Sequence, residues 1–452
     1  MLVDRDTVRE SDDLLELLLC REGIVVSNYG DAGPPPDVER TPDDFFPPTA
    51  IGWVTVGRPS DDGPFVGRSL LTATKTTVSE RSLLALSVDH LRLTLEGSAS
   101  TQVNESDVVL FAVAEELEID LLITGRPWLL ESPLANGPLQ VRSPSGAVPA
   151  IALYLRGTDD SPAAVSRTLT EFVTPVSHYF FTIVEEYLPS LKVVEEHLGT
   201  GGIATERQLI EAVHRKLGSA FARRDMVWRL ALQHPTIAQL DEMAAEVDAF
   251  LLFLTSALDA LARVLDSSLS LNSQRNKIGF QQENWRTNLA SKLADGFSFT
   301  DIDLNAIGGV SGLRNFTHGT GARTLPVDIG EHRWKKTATY ALYEYQGSEP
   351  KWQDPLDALN ALRNTKFASR FFDMWRLRDS PEVFITPGPM CDLLLATTLS
   401  LIESVSQALV QIRGVAQVVK KPDGPRISAH IRKQQIFAFM GVHGFGSVEG
   451  LS

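Results

Sequence analysis

The chain has 452 residues, a formal net charge of -15 at pH 7, 43% hydrophobic residues and 22% charged residues. This length predicts two or three domains, and the composition is that of globular proteins and excludes global disorder. An acidic chain binds polyanions poorly as a whole, because phosphate affinity comes from Lys and Arg, so any nucleic-acid contact must be local.

The two cysteines and the apolar segments of the sequence predict where in the cell the protein resides. The two cysteines, Cys20 and Cys391, are far apart and fit no metal-ligand spacing, so we expect buried free thiols in a reducing environment. The first residues are acidic and lack the apolar core of a signal peptide. The most apolar predicted helices carry Asp and Glu, so the sequence predicts no membrane span and a cytoplasmic protein.

The first third of the chain has short strand patterns and short helix patterns. We predict a helix over 7–20, a loop after it, and strands in the β-rich runs 53–56 and 69–74. The patterns that follow predict a helix over 105–116, a buried strand over 119–124, a helix starting at Pro127 and another ending near Arg156. The sequence therefore predicts a small α/β domain over 1–157.

The turn after the predicted strand 119–124 carries a resemblance. The run from Asp120 to Arg126 resembles the helix–strand–turn of PIN-type nuclease domains, in which a buried strand ends at a turn with a metal-binding acid. Gly125 and Arg126 occupy this turn, so the family's acid is missing. The resemblance implies a degenerate PIN-like fold, and we interpret Asp107 and Asp120 as an ordinary helix acid and strand-edge acid.

Helical patterns dominate from residue 158 onward. The longest is an apolar face repeated from Leu240 to Leu265, which is typical of a helical bundle. Further on, 337–345 is compatible with strand or helix, and 416–452 is a basic, glycine-rich tail. The predicted helices are 163–198 with a kink at Pro175, one opening at the capping box 205–208, 236–270, 284–293, 300–318, 354–376, and 390–413.

One short predicted helix carries three polar side chains that could act together in catalysis. A helix capped by Ser298 or Thr300 and running to His318 places Arg314 and His318 one turn apart on one face, with Asn315 on the neighbouring flank. Arg offers a fixed fork for phosphate, His titrates near neutral pH, and the Asn amide can orient either. The same Arg–His spacing near a helix end is also what carbonyl capping and the helix dipole favour, so a structural role remains the alternative.

The helices and the run from Leu313 to Gly319 together resemble the HEPN superfamily of helical bundles, many of which are RNases in bacterial toxin–antitoxin and anti-phage defence. The resemblance covers about 163–415 and implies a HEPN-like bundle over 158–415 with an insertion at about 321–386. Together with the N-terminal α/β domain and the tail, this predicts a mainly α, α+β protein. It implies catalysis by Arg314, Asn315 and His318 without metal or cofactor. It also implies RNA as substrate, a homodimer with a composite site, and an antitoxin or defence partner protein.

Several alternatives stay open at this level. Most family members have four to six residues between Arg and His, whereas Arg314 and His318 have three between them. Arg229 with His234 has the commoner spacing, but Arg229 lacks the polar follower. A non-catalytic HEPN-type binding module and an unrelated helical fold are the other interpretations. A PIN-type metal nuclease is disfavoured by the missing acid.

Overall fold

The structure is a computed structural model, mainly helical, with a six-stranded sheet and a four-stranded sheet. The chain divides into two compact units, Met1–Ser161 with Asp328–Lys336, and Pro162–Val327 with Thr337–Ser452. The described residues are 1–8, 15, 18–19, 24–30, 51–58, 65–72, 107, 110–111, 114, 118–131, 139–157, 187–201, 204–232, 237–293, 296–319, 323–328, 336–343, 355–368, 372–376 and 382–412.

The first unit is built on a mixed sheet with strand order β4-β3-β2-β1-β5-β6. β1 pairs in parallel with β2 and β5, and β5 pairs in parallel with β6, whereas β2, β3 and β4 form an antiparallel run. The strands are β1 (Leu2–Asp4), β2 (Val26–Gly30), β3 (Ile51–Arg58), β4 (Phe65–Thr72), β5 (Leu121–Ile123) and β6 (Gln140–Arg142).

Helices α1 (Pro127–Glu131) and α2 (Pro144–Gly157) accompany this sheet, and both were predicted. The predicted strands at 53–56 and 69–74 are confirmed as parts of β3 and β4, within the described residues. In the predicted helix 105–116, the described residues Asp107, Leu110, Phe111 and Ala114 are helical and buried, which places one helix face in the core. The loop prediction after residue 20 missed β2, because five residues next to a glycine give too short an alternation to detect.

The second unit is a bundle of long and short helices. They are α3 (Pro189–Gly201), α4 (Ala204–Leu232), α5 (Ile237–Ser268), α6 (Glu283–Lys292), α7 (Asp301–Gly319), α8 (Pro355–Arg363) and α9 (Pro387–Ile412). The apolar face predicted from Leu240 to Leu265 is buried throughout, and α4 packs along α5. Burial of that face, rather than local propensity, is what holds so long a helix.

Helix α9 lies at the centre of this unit and contacts α3, α4, α5 and α7. It is long and apolar enough to cross a membrane by length and composition, contrary to our expectation for this segment, but 78% of its most apolar window is buried inside the protein. Glu403 accepts backbone hydrogen bonds from Ser190 at 3.0 and 3.1 Å, so this α9 carboxylate caps the first turn of α3.

A buried ionic cluster joins α4 to α9. Arg224, 1% exposed, donates to Asp225 at 2.7 Å and to Asp392 of α9 at 3.4 Å. Trp228 donates its indole N–H to the other Asp392 oxygen at 3.0 Å. These bonds satisfy groups that would be costly to bury alone, and they fix the register between the two helices.

Two helix predictions are wrong in extent. The predicted helix 163–198 is interrupted, because Leu188 is not helical and α3 begins at Pro189; Pro175 lies outside the described residues. The predicted helix 354–376 ends at Arg363, and β9 begins at Met374. The aromatic spacing that indicated a helix serves a strand pair instead, since Trp375 stacks on Phe384 across β9 and β10 with ring centroids 6.1 Å apart.

A four-stranded sheet lies within 321–386, the segment that we predicted to be an insertion. Its order is β7-β8-β10-β9, and β10 runs antiparallel to both β8 and β9. The ambiguous segment 337–345 is therefore strand over its described part. The strands are β7 (Arg323–Asp328), β8 (Lys336–Tyr343), β9 (Met374–Arg376) and β10 (Glu382–Ile385). Cys391 is a buried free thiol, whereas Cys20 and the tail 416–452 lie outside the described residues.

Candidate functional site

Helix α7 carries the predicted trio, and its start is fixed by a reciprocal cap. Thr300 Oγ1 accepts from the backbone N–H of Asp303 at 3.2 Å, while the Asp303 carboxylate accepts from the backbone N–H of Thr300 at 2.8 Å. Of the two predicted caps, Thr300 is therefore the one used. This capping box starts a helix that runs without interruption to Gly319.

The helix brings the predicted residues to its last turns. Arg314, Asn315 and His318 all lie in α7, so Arg314 and His318 share one helix face as predicted. Arg314 is half-buried and Asn315 is exposed. The side chain of His318 is not among the described groups, so its backbone position alone is placed.

Leu313 and Thr317 anchor this end of α7. Leu313 is fully buried, and the Thr317 hydroxyl donates to the carbonyl of Arg314 at 2.9 Å. Gly312, the residue before Leu313, lies against Pro355 of α8, whose Cβ is 3.0 Å from where a Gly312 Cβ would be. The helix end is therefore held from two sides, which fixes the direction in which Arg314 leaves the backbone.

Arg314 faces a carboxylate on α5. Burial raises the pKa of Asp259 above its ordinary value, and the nearby charges of Arg263 and Arg314 oppose that rise. The Nε of Arg314 is buried and has no hydrogen-bond partner among the described residues. Arg314 therefore has an electrostatic partner in Asp259, and it forms no salt bridge with another described residue.

A second polar cluster lies at the carboxyl edge of the parallel strands in the first unit. Arg126, just after β5, donates to Asp4 at 2.8 Å and to Asp107 at 3.0 Å, and it lies 3.5 Å from Asp6. Thr124 donates its hydroxyl to Asp4 at 2.7 Å. Asp4 is fully buried, so its charge is balanced within the protein rather than by solvent.

The Arg126 guanidinium supplies the cation that this acidic edge requires. Burial disfavours its charged form, but hydrogen bonds and charges from Asp4 and Asp107 outweigh burial and raise the pKa of Arg126. Among the described residues no group of three or more His, Cys, Asp or Glu side chains could hold a metal ion. Asp107 is helical, as predicted, and in addition it forms a buried salt bridge with Arg126.

Two acids that interact with these arginines, Asp4 and Asp259, were not predicted from the sequence. Asp4 lies in the acidic run at the start of the chain. It also directly follows the buried residues Leu2 and Val3, and an acid at the carboxyl end of a buried strand is typical of binding sites in α/β proteins. Asp259 is a charge within an apolar helix, and its i,i+4 relation to Arg263 is the signal that could have indicated a polar stripe.

The other Arg–His pair gains no support from the described residues. Arg229 is half-buried in α4, and His234 lies outside the described residues.

Compared with protein-family models, curated proteins and solved structures, the chain matches none.

Proposed function

We propose that the chain is a metal-independent endoribonuclease of the HEPN type, with Arg314, Asn315 and His318 as its catalytic residues. The observation that carries the proposal is the end of α7: a half-buried arginine that forms no salt bridge with another described residue and an exposed asparagine, with a histidine one turn further on the same face. These groups match what cleavage of a phosphodiester by the neighbouring 2′-hydroxyl requires.

The reaction uses His318 as base. Its imidazole takes the proton of the 2′-hydroxyl, O2′ bonds to the adjacent phosphorus, and the bond from phosphorus to O5′ breaks. Arg314 donates to two phosphate oxygens and offsets the charge that builds on them in the transition state. The O5′ atom leaves as an alcohol with a proton from the same histidine of a second copy. The products are a 2′,3′-cyclic phosphate and a 5′-hydroxyl.

A homodimer belongs to this proposal, because one imidazole cannot be base and acid in the same step. Two copies of the α7 end facing each other double the local positive charge in a chain of net charge -15. The N-terminal unit, a degenerate PIN-like domain in this proposal, senses the trigger or restrains the nuclease in the cytoplasm. Anti-phage or toxin–antitoxin defence, with an antitoxin or other defence partner protein, is the setting that the resemblance implies.

The test is incubation of the purified full chain with total RNA in EDTA. We expect wild type to cleave and His318→Ala to lose cleavage. No cleavage by wild type in EDTA, or equal cleavage by both proteins, would overturn the proposal. Cleavage that appears only with magnesium or manganese would point to metal chemistry instead, and RNA binding without cleavage would identify a HEPN-type binding module.

A further inference from the structure

Exposed cations flank the α5 face that carries Asp259. Arg263 follows Asp259 by one helical turn on that face, and Arg275 and Lys277 lie in the 3₁₀ turn Arg275–Lys277 that follows α5. All three side chains are exposed, and none forms a salt bridge with another described residue. Exposed unpaired cations are available to a ligand, unlike Arg126, which its own carboxylates occupy.

The loop after α5 runs back along the helix, which brings the 3₁₀ turn beside Arg263. Its residue Ser273 donates its backbone N–H to Asp266 at 3.4 Å. Six residues later, the Oδ1 atom of Asp259 is 3.9 Å from where a Cβ on Gly279 would be. Since Asp266 and Asp259 are two helical turns apart, the intervening 3₁₀ turn passes the level of Arg263.

Both ends of this loop are held firmly. Asp266 accepts the indole N–H of Trp285 at 3.0 Å, and the buried Phe280 packs edge-on against Trp285 with ring centroids 5.3 Å apart. Gly279 has φ +155°, a conformation that few other residues adopt, and it turns the chain toward α6. The cations are therefore presented from an ordered frame, which lowers the entropy lost on binding.

The acids on these elements offset part of the positive charge, but none forms a salt bridge with Arg263, Arg275 or Lys277 among the described residues. Asp266 is buried, with its oxygens used by Trp285 and Ser273. Asp259 is half-buried and interacts electrostatically with both Arg263 and Arg314. Glu283, at the start of α6, is exposed and acts on Arg286. Arg263, Arg275 and Lys277 are therefore exposed cations, and Arg263 shares an electrostatic partner, Asp259, with Arg314.

We propose that Arg263, Arg275 and Lys277 form a track for the phosphates of single-stranded RNA, which leads the strand to Arg314. The inference rests on the proposed ribonuclease function and names how that site holds its substrate. Lys and Arg contacts to successive phosphates supply affinity without sequence preference, and the affinity falls as salt rises. The track is the local contact that an acidic protein needs in order to hold RNA.

The experiment measures fluorescence anisotropy of a labelled single-stranded RNA oligonucleotide with the full-length His318→Ala variant, across a series of KCl concentrations. In that background the track variant is Arg263→Gln with Arg275→Gln and Lys277→Gln. The matched control, Arg207→Gln with Arg215→Gln and Arg363→Gln, removes the same charge from exposed residues elsewhere in the second unit. Circular dichroism melts check that each variant is folded.

We expect the track variant to bind about tenfold more weakly and the control to bind as its parent does. The slope of log K against log salt should fall by about 2, since each phosphate contact on a single strand contributes about 0.7. Equal losses in both variants, no loss in the track variant, or no RNA binding by the parent would overturn the inference.

The outcome is separable from that of the proposed function. Track variants made in wild type should cleave RNA more slowly at low RNA concentration and recover at saturating RNA, because binding rather than chemistry is weakened. If wild type cleaves and the track variant matches it at every concentration, the track fails and the nuclease stands. If the track binds RNA and wild type never cleaves it, the nuclease fails and the track stands.

Discussion

At the residue scale, Arg126 and Arg314 meet carboxylates in different ways, and the difference decides what each can bind. Arg126 donates to Asp4 and Asp107 at 2.8 and 3.0 Å, so its guanidinium is engaged within the protein. Arg314 acts on Asp259 through charge, and its Nε has no hydrogen-bond partner among the described residues. Arg126 is therefore bound by carboxylates of its own unit, whereas Arg314 forms no salt bridge with another described residue.

Arg314 provides a residue-scale prediction about activity. In the proposed nuclease, Arg314→Ala should lower cleavage by about 10²–10³-fold, because a donor to the transition-state charge is lost. Arg314→Lys should recover little, since an ammonium keeps the charge and cannot hold two oxygens in a planar fork. Single-turnover cleavage measures both variants. Arg229→Ala is the control, and a loss there equal to that of Arg314→Ala would move the site to the other Arg–His pair.

His214 provides a prediction about pH. It is fully buried in α4, and burial lowers its pKa from 6.5 to about 4; Glu195 Oε2 lies 3.6 Å from its Nδ1 atom. The unfolded chain therefore takes up this proton at a higher pH than the folded chain does. Stability should be fully present above pH 6.5 and be lost as the pH falls toward 4, by at most about 1.4 kcal/mol per pH unit.

The comparison of wild type with His214→Gln isolates this group. Urea unfolding followed by circular dichroism at several pH values gives the free energy of unfolding of each protein. The difference between the two should narrow as the pH falls from 6.5 to about 4, because only wild type gains the destabilising proton. Parallel pH profiles would show that His214 does not titrate as its burial implies.

At the element scale, packing around α9 decides the geometry of the second unit. Gly388, in its first turn, lies directly on the ring of Trp228 from α4: a Cβ at Gly388 would be 2.6 Å from Trp228 Cδ2. That ring also donates to Asp392 at 3.0 Å, so it is not free to move away. A glycine therefore permits the close approach of two helices where the ionic cluster joins them.

Gly388→Ala should destabilise the protein by about 1–3 kcal/mol, the usual cost of forcing an extra methyl group into a packed core. Thermal unfolding measures the change. Gln407→Ala, at an exposed position of the same helix, should change stability by less than about 0.5 kcal/mol. Equal melting temperatures for wild type and Gly388→Ala would contradict the packing described at Trp228.

Elements with a long, one-sided pattern could be predicted, and short or shared elements could not. The face from Leu240 to Leu265 repeats over several turns, so α5 was predicted close to its observed bounds. β1 and β6 have three residues each, too few for a pattern, and are strands because the sheet pairs them. Trp375 fitted a helical spacing by sequence, but its partner Phe384 lies on another strand.

In the candidate site, too, relations within one helix could be predicted from the sequence, and contacts between helices could not. Arg314, Asn315 and His318 are neighbours in one helix, so sequence alone placed them on adjoining faces. Asp259 lies far from Arg314 in sequence and reaches it only because α7 packs on α5. The path of the loop that leads to Gly279 could not be predicted from the sequence either, because contacts with Asp266 and Trp285 determine it.

At the scale of the whole molecule, a net charge of -15 opposes the binding of RNA, which is itself negatively charged. Long-range repulsion lowers the affinity for any polyanion, so binding and chemistry must come from one concentrated group of cations. In the proposed nuclease, that group is Arg263, Arg275, Lys277 and Arg314. A second copy in a homodimer would add its own set and the second histidine that the reaction needs.

The most direct test of the proposed reaction is to identify the ends of the RNA fragments made by the purified full chain in EDTA. Mass spectrometry of a defined single-stranded RNA, digested by wild type and by His318→Ala, shows which bond breaks. The proposed mechanism predicts 2′,3′-cyclic phosphate and 5′-hydroxyl ends from wild type and intact RNA from the variant. Ends carrying 5′-phosphate, or fragments that form only when a divalent metal is added, would contradict it.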